Sequence, residues 1–280
     1  MVATQSAQMA DDVEYMRGGM SLESTSSILL SSSKYLNSPL IRDWISNEAL
    51  RKPGRDANTI ARTPEFYHAL EAVFDHETTA RLFREDAERL PELGAWLKER
   101  PLGNIQSEDV ANSAPGTLGH SIKGLLDKGF KLYFGRLADA VSDFDYVRKR
   151  RSQIHDIEHI LTGFPADSIA GEVALSVSHV TSSYNYYQPR LAKETSLTSA
   201  FYISSWVLRT TLHTPEIMPA VCDALEKGAA LGKRLNRPLY MELWEEYLDW
   251  QLSDLRTKFN ITEPGGFVGR WDWSEVDDAP

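Results

Sequence analysis

Residues 144–172 read FDYVRKRRSQIHDIEHILTGFPADSIAGE. The stretch from about Phe144 to Thr162 predicts one basic helix carrying Arg148, Lys149, Arg150 and Arg151. Gly163 followed by Pro165 is the residue pair expected of a helix stop: glycine takes the left-handed closing conformation, and proline cannot continue the ladder. A second helix is expected to start near Asp167 or Ser168 and to carry Glu172 in its first turns. Two helices joined by so short a turn run back along one another.

The same pattern extends outward. Strand signals are scarce, while apolar residues recur at helical spacing between clusters of Pro and Gly. Thr63-Pro64-Glu65-Phe66 reads as a helix start, with Thr63 as cap, Pro64 in the first turn, and Phe66, Leu70, Val73 and Phe74 on one face. Another helix is expected through Leu82 and Leu90 to Pro91. A loop from Pro101 to Ser113 leads to the tight Pro115-Gly116-Thr117-Leu118-Gly119, and Ile122, Leu125 and Leu126 open a further stripe. Two amphipathic helices are expected from Pro215 to Asn236 and from Pro238 to Phe259, the second with Leu248, Leu252, Leu255 and Phe259 as core. The fold class is therefore all-α. One helical domain over 21–263 is expected, with irregular tails at 1–20 and at 264–280, the latter holding Trp271 and Trp273.

The 280 residues are 42% hydrophobic and 25% charged, which is globular composition and excludes wholesale disorder. Forty acidic against thirty basic residues leave a net charge of -10, the wrong sign for a chain held on nucleic acid by phosphate neutralisation. The single Cys222 rules out an intramolecular disulfide and a thiolate zinc cluster, and an intracellular chain is the simplest reading. No apolar run reaches bilayer length, so membrane contact is expected to be peripheral.

His155 and His159 are four residues apart, so one helix face presents both imidazoles to a single ion. Asp156 is turned about 100° from His155 and about 60° from His159, at the edge of that face. Glu158 points to the far side and reads as solvated. Glu172 can return across the Gly163-Phe164-Pro165 turn. Two His and two carboxylates suit zinc, iron or manganese; a surface pair or a hydrogen-bonded core pair of histidines fits the spacing equally. The metalloprotease pattern is absent, because it needs Glu directly after the first His. A His-Asp phosphohydrolase would add His120 and Asp167 and leave His159 without a role. His179, beside Val177 and Val180, reads as a core histidine. Tyr184, Tyr186, Tyr187, Phe201, Tyr202 and Trp206 form either a packed core or the lining of an apolar ligand pocket.

The ordered set Pro115-Gly116-Thr117-Leu118-Gly119, Asp145-Tyr146-Val147 with Arg150, His155-Asp156-x-x-His159-x-Leu161-x-Gly163-x-Pro165, Gly171-Glu172, and Leu252-x-x-Leu255-Arg256 with Ile261-Thr262 resembles the fourth coenzyme Q (ubiquinone) biosynthesis protein family. The resemblance runs from about Pro91 to Pro264 and points to a bacterial member. It implies an all-helical zinc-motif protein, peripheral to the inner (cytoplasmic) membrane, with other ubiquinone biosynthesis proteins as partners and a homodimer as a further option. Carried over by position, the metal ligands are His155, Asp156, His159 and Glu172. The gap between His159 and Glu172 is one residue longer than usual, and Arg150-Arg151-Ser152-Gln153 stands where Arg-Tyr-Arg-Glu often does. The implied activity is metal-dependent decarboxylation, simple or oxidative, of a polyprenylated 4-hydroxybenzoate-type ring, with Arg150 expected to balance the substrate's charge. The alternative is a non-catalytic prenyl-lipid-binding scaffold.

Overall fold

The computed structural model describes residues 33–50, 63–101, 105–128, 140–166, 168–261 and 265–268. Among these residues there are twelve α-helices and no strand, only an isolated bridge between Thr117 and Gln251. The first seven are α1 (Lys34–Asn37), α2 (Pro39–Leu50), α3 (Thr63–Glu71), α4 (His76–Arg89), α5 (Pro91–Glu99), α6 (Ser107–Val110) and α7 (Leu118–Asp127). They are followed by α8 (Asp143–Thr162), α9 (Ile169–Tyr186), α10 (Pro189–His213), α11 (Met218–Arg234) and α12 (Leu252–Lys258). The expected tail at 1–20, Asp167, Trp271 and Trp273 lie outside the described residues.

α8 starts where its sequence satisfies the orphan amides of a helix end. Ser142 Oγ accepts from the Asp145 N–H at 3.1 Å, and the Asp145 carboxylate accepts from the Ser142 N–H at 3.1 Å. At the other end Gly163 takes φ 70°, a conformation costly for any side chain, and its N–H reaches the His159 carbonyl at 2.8 Å. Five residues later Ser168 Oγ accepts from the Gly171 N–H at 3.0 Å and opens α9. The expected stop and restart are thus observed.

α9 is the centre of the molecule, packed mainly against α11 and α10. α11 approaches it closely because Gly228 and Gly232 lie one turn apart. A Cβ there would fall 2.3 Å from the Ala174 carbonyl oxygen and 2.6 Å from that of Ser178. Ile154, Ile157 and Leu161 of α8 and Val173 and Ala174 of α9 are fully buried. The large aliphatic side chains among them are worth about 1.5–3 kcal/mol each on burial. Gly265 donates its N–H to the Thr162 carbonyl at 3.0 Å, and Phe267 stacks on Phe164 with ring centres 5.8 Å apart. Residues 265–268 therefore brace the α8–α9 turn.

Three expectations are corrected. The helix expected from Pro238 to Phe259 is two single 3₁₀ turns, Leu239–Met241 and Trp244–Tyr247, followed by α12. Arg150 donates to the Tyr240 and Glu242 carbonyls, so those oxygens are diverted from a helical ladder. The loop from Pro101 to Ser113 contains α6, capped reciprocally by Gln106 and Asp109. The helix expected from Pro215 begins as a 3₁₀ turn, Pro215–Ile217, before α11.

Most of the aromatic cluster is core. Tyr202 packs against Trp44 and Trp206 with ring centres 5.0 and 4.7 Å apart, and Phe201 lies 5.7 Å from Phe66. The Tyr187 and Tyr240 hydroxyls share a 2.6 Å hydrogen bond, Tyr186 donates to Glu92, and Tyr184 is exposed. Among the described residues no helix is long and apolar enough to cross a membrane.

Candidate metal centre

α8 and α9 run back to back across the Gly163–Ser168 turn, and this brings Glu172 onto the two histidines. His155 Nε2 and His159 Nε2 are 3.2 Å apart. Glu172 Oε1 is 3.5 Å from the first and 3.4 Å from the second, with Oε2 3.3 Å from His155. The three atoms form a nearly regular triangle. A tetrahedral ion with bonds of about 2.0–2.1 Å holds its ligand atoms about 3.3–3.4 Å apart, so the triangle matches one face of such a shell.

The protonation pattern fits as well. His159 Nδ1–H donates to the Phe164 carbonyl at 2.8 Å, which leaves Nε2 as a lone pair aimed at the triangle. Burial opposes charge on Glu172, yet the imidazoles of His155 and His159 hold its carboxyl well below the usual carboxylate range. Burial likewise works against a charged His155, but Glu172 outweighs it and raises the imidazole's pKa. Two imidazole nitrogens converging on one carboxylate are a donor set that a divalent cation satisfies.

Asp156 is half-buried and does not belong to the group of three. Burial raises its carboxyl pKa, and the imidazoles of His155 and His159 pull it the other way. Arg150 is turned elsewhere. Its side chain is fully buried, with Nη1 2.8 Å from Glu245 Oε1 and its other donors on the Tyr240 and Glu242 carbonyls. It ties the 239–247 segment to α8 rather than facing the triad. His120 is exposed on α7 and is not in the group. His179 is buried, donates from Nε2 to the Thr195 carbonyl at 3.2 Å and lies against Tyr240, a core histidine as expected.

Glu158 corrects the sequence reading. It is only 3% exposed, and its Oε2 has no hydrogen-bond partner. It lines a cavity of about 10 Å³ with Leu175, Ser178, His179, Ser182, Leu235 and Leu239, and burial pushes its carboxyl pKa up. A larger cavity of about 160 Å³ lies at the end of α8, bounded by Thr162 and Phe164, by α11 from Asp223 to Arg234, and by Ile261.

Residues 96–265 match the family described as coenzyme Q (ubiquinone) biosynthesis protein Coq4. Among solved structures the chain is similar to the crystal structure of a candidate ubiquinone biosynthesis protein from Nostoc punctiforme. The TM-score is 0.61 at 21% identity, over 82% of this chain and 96% of that one, a likeness of fold. No curated protein matches the chain.

Proposed function

The chain belongs to the coenzyme Q (ubiquinone) biosynthesis protein Coq4 family, and from that premise we propose that it is a metal-dependent carboxy-lyase of ubiquinone biosynthesis. Its substrate would be a polyprenylated 4-hydroxybenzoate-type ring. The observation that carries the reading is the triangle of His155 Nε2, His159 Nε2 and Glu172 Oε1. Three protein ligands leave a fourth position open, as catalytic zinc sites do, whereas structural sites are closed. The triangle's edges favour zinc over the shorter edges of an octahedral shell, with iron and manganese as the other candidates.

A bound divalent ion would supply Lewis acidity, drawing negative charge off a coordinated oxygen of the substrate. The protein's own residues do the rest. His159, locked by its bond to Phe164, and Glu172, held ionised, fix the site before substrate arrives. His155, 24% exposed in its side chain, marks the side from which a ring can enter. When the ring-to-carboxyl bond breaks and carbon dioxide leaves, the electron pair left on the ring carbon takes a proton. Asp156, half-buried on α8 next to His155 in the chain, has a carboxyl pKa raised by burial, which suits it to hold that proton on a carboxyl oxygen.

Glu172→Gln tests the reading. Metal content and carboxyl loss from a short-tailed prenyl-hydroxybenzoate should fall together, and a variant unchanged in both contradicts it. A scaffold reading is favoured by the outer face of α10, where Leu208 and Leu212 are exposed one turn apart and suit a peripheral membrane or a pathway protein. A scaffold would keep pathway output in a folded His155→Ala protein.

A further inference from the structure

Tyr247, Trp250 and Phe259 stand around one ammonium group. Lys258 Nζ lies 5.2 Å from the centre of the Tyr247 ring, 5.2 Å from Trp250 and 5.8 Å from Phe259. The Tyr247 ring is turned 86° from Trp250 and 89° from Phe259, so the three rings are walls rather than a stack. The backbone behind them is pinned. The Trp250 N–H donates to the Tyr247 carbonyl at 3.0 Å, the Trp250 carbonyl accepts from Leu118 of α7 at 3.0 Å, and the Phe259 N–H closes α12 on Leu255 at 2.9 Å. Arg256 ties α12 in turn to the Ile160 and Leu161 carbonyls of α8. The walls are reachable from solvent, since Trp250 is 42% exposed and Lys258 is exposed.

Lys258 passes over an available partner. Asp254 precedes it by four residues on α12, the spacing and order that favour an ion pair along a helix. Among the described residues no ion pair joins the two; Asp254 Oδ1 accepts from Ser253 Oγ at 3.3 Å, and the ammonium turns to the rings. An exposed pair of that kind is worth less than a cation over one aromatic face, and three faces meet here. The space is also wide for its occupant. A methyl carbon stands about 1.5 Å from its nitrogen and about 3.5–4.0 Å from a ring carbon it touches, which puts a trimethylammonium nitrogen about 5 Å from each ring. The ring centres stand at that distance from the Lys258 nitrogen, which has only hydrogens to fill the gap.

We propose that Tyr247, Trp250 and Phe259 form a binding site for a trimethylammonium group, with Lys258 as a tethered competitor that moves to Asp254 when the ligand enters. A quaternary nitrogen carries the charge that the ring faces attract and has no N–H to strip of water on the way in. The group can arrive on free choline or on the headgroup of phosphatidylcholine. The site stands apart from His155, His159 and Glu172 and does not depend on a metal there.

Equilibrium dialysis of the full chain against choline, ethanolamine and neohexyl alcohol, the uncharged compound of choline's shape, tests it. Choline should bind at one saturable site, about tenfold or more tighter than either of the others. Lys258→Ala should bind choline several-fold tighter than wild type, because the competitor is gone. Trp250→Ala and Tyr247→Leu should lose the binding, and Trp250→Ala, at the surface, carries the test if the Tyr247 variant does not fold. Sedimentation with phosphatidylcholine vesicles separates the two sources. Association that free choline reverses upholds the site with a lipid headgroup as its ligand, and choline binding without association upholds it with a soluble one. No saturable choline binding in either wild type or Lys258→Ala, equal binding of neohexyl alcohol, or full choline affinity in Trp250→Ala overturns the site. Lys258→Ala that binds choline no tighter than wild type overturns the competitor.

Discussion

The Nδ1–H of His159 donates to the carbonyl oxygen of Phe164 at 2.8 Å, so the turn that ends α8 also sets the tautomer of a histidine of the candidate metal site. The same turn places Ser168, whose hydroxyl starts the helix that carries Glu172. Any change that moves the turn should therefore be read out at the metal centre.

Gly171 offers that change. A Cβ at this position would fall 1.8 Å from the Pro165 carbonyl oxygen, so backbone must move. Gly171→Ala is expected to cost about 1–3 kcal/mol as an overpacked site. It should also weaken zinc binding at least several-fold, because Glu172 is the next residue. Urea denaturation and competitive zinc titration check both; full zinc affinity with normal stability would show that the turn does not govern the site.

Arg150 should behave as a structural residue. Its removal leaves Glu245 and two carbonyls without their donor, and breaking a buried pair of this kind costs about 3–5 kcal/mol. Arg150→Ala is expected to lose that much in urea denaturation while the folded fraction keeps its metal. Normal stability with selective loss of substrate binding would restore the role read from the sequence.

His179 gives the pH dependence. Burial lowers its pKa well below the ordinary 6.5, so the unfolded chain binds this proton more readily than the folded one. Its contribution to stability is present in full above pH 6.5 and is lost as pH falls below it, at about 1.4 kcal/mol per pH unit. His179→Gln should flatten that acid limb. An unchanged slope in pH-dependent denaturation would contradict the assignment.

Local chemistry made α8 and α9 legible. The Gly163 and Pro165 stop and the Ser168 start are backbone requirements met by single residues, and the His155/His159 pair follows from helical spacing. Glu158 was misjudged because a helical wheel gives direction and not how widely a helix is covered. Gly228 and Gly232 let α11 close on α9, and residues of α9, with Leu235 just past the end of α11 and Leu239, line the cavity that Glu158 faces. The 238–259 segment failed for a related reason: its apolar spacing suits a helix, but a distant guanidinium takes its carbonyls. Arg151 and Arg150 are adjacent in sequence, and only packing separates a bound guanidinium from an unpartnered one.

The proposed function requires that His155, His159 and Glu172 hold a catalytic divalent ion. Metal content by inductively coupled plasma mass spectrometry on wild type and His159→Ala, paired with carbon dioxide release from a short-tailed prenyl-hydroxybenzoate, tests it most directly. Wild type should carry near-stoichiometric metal and release carbon dioxide, and His159→Ala should lose both. A folded wild-type protein that takes up no metal, or metal retained in full by His159→Ala, would contradict it.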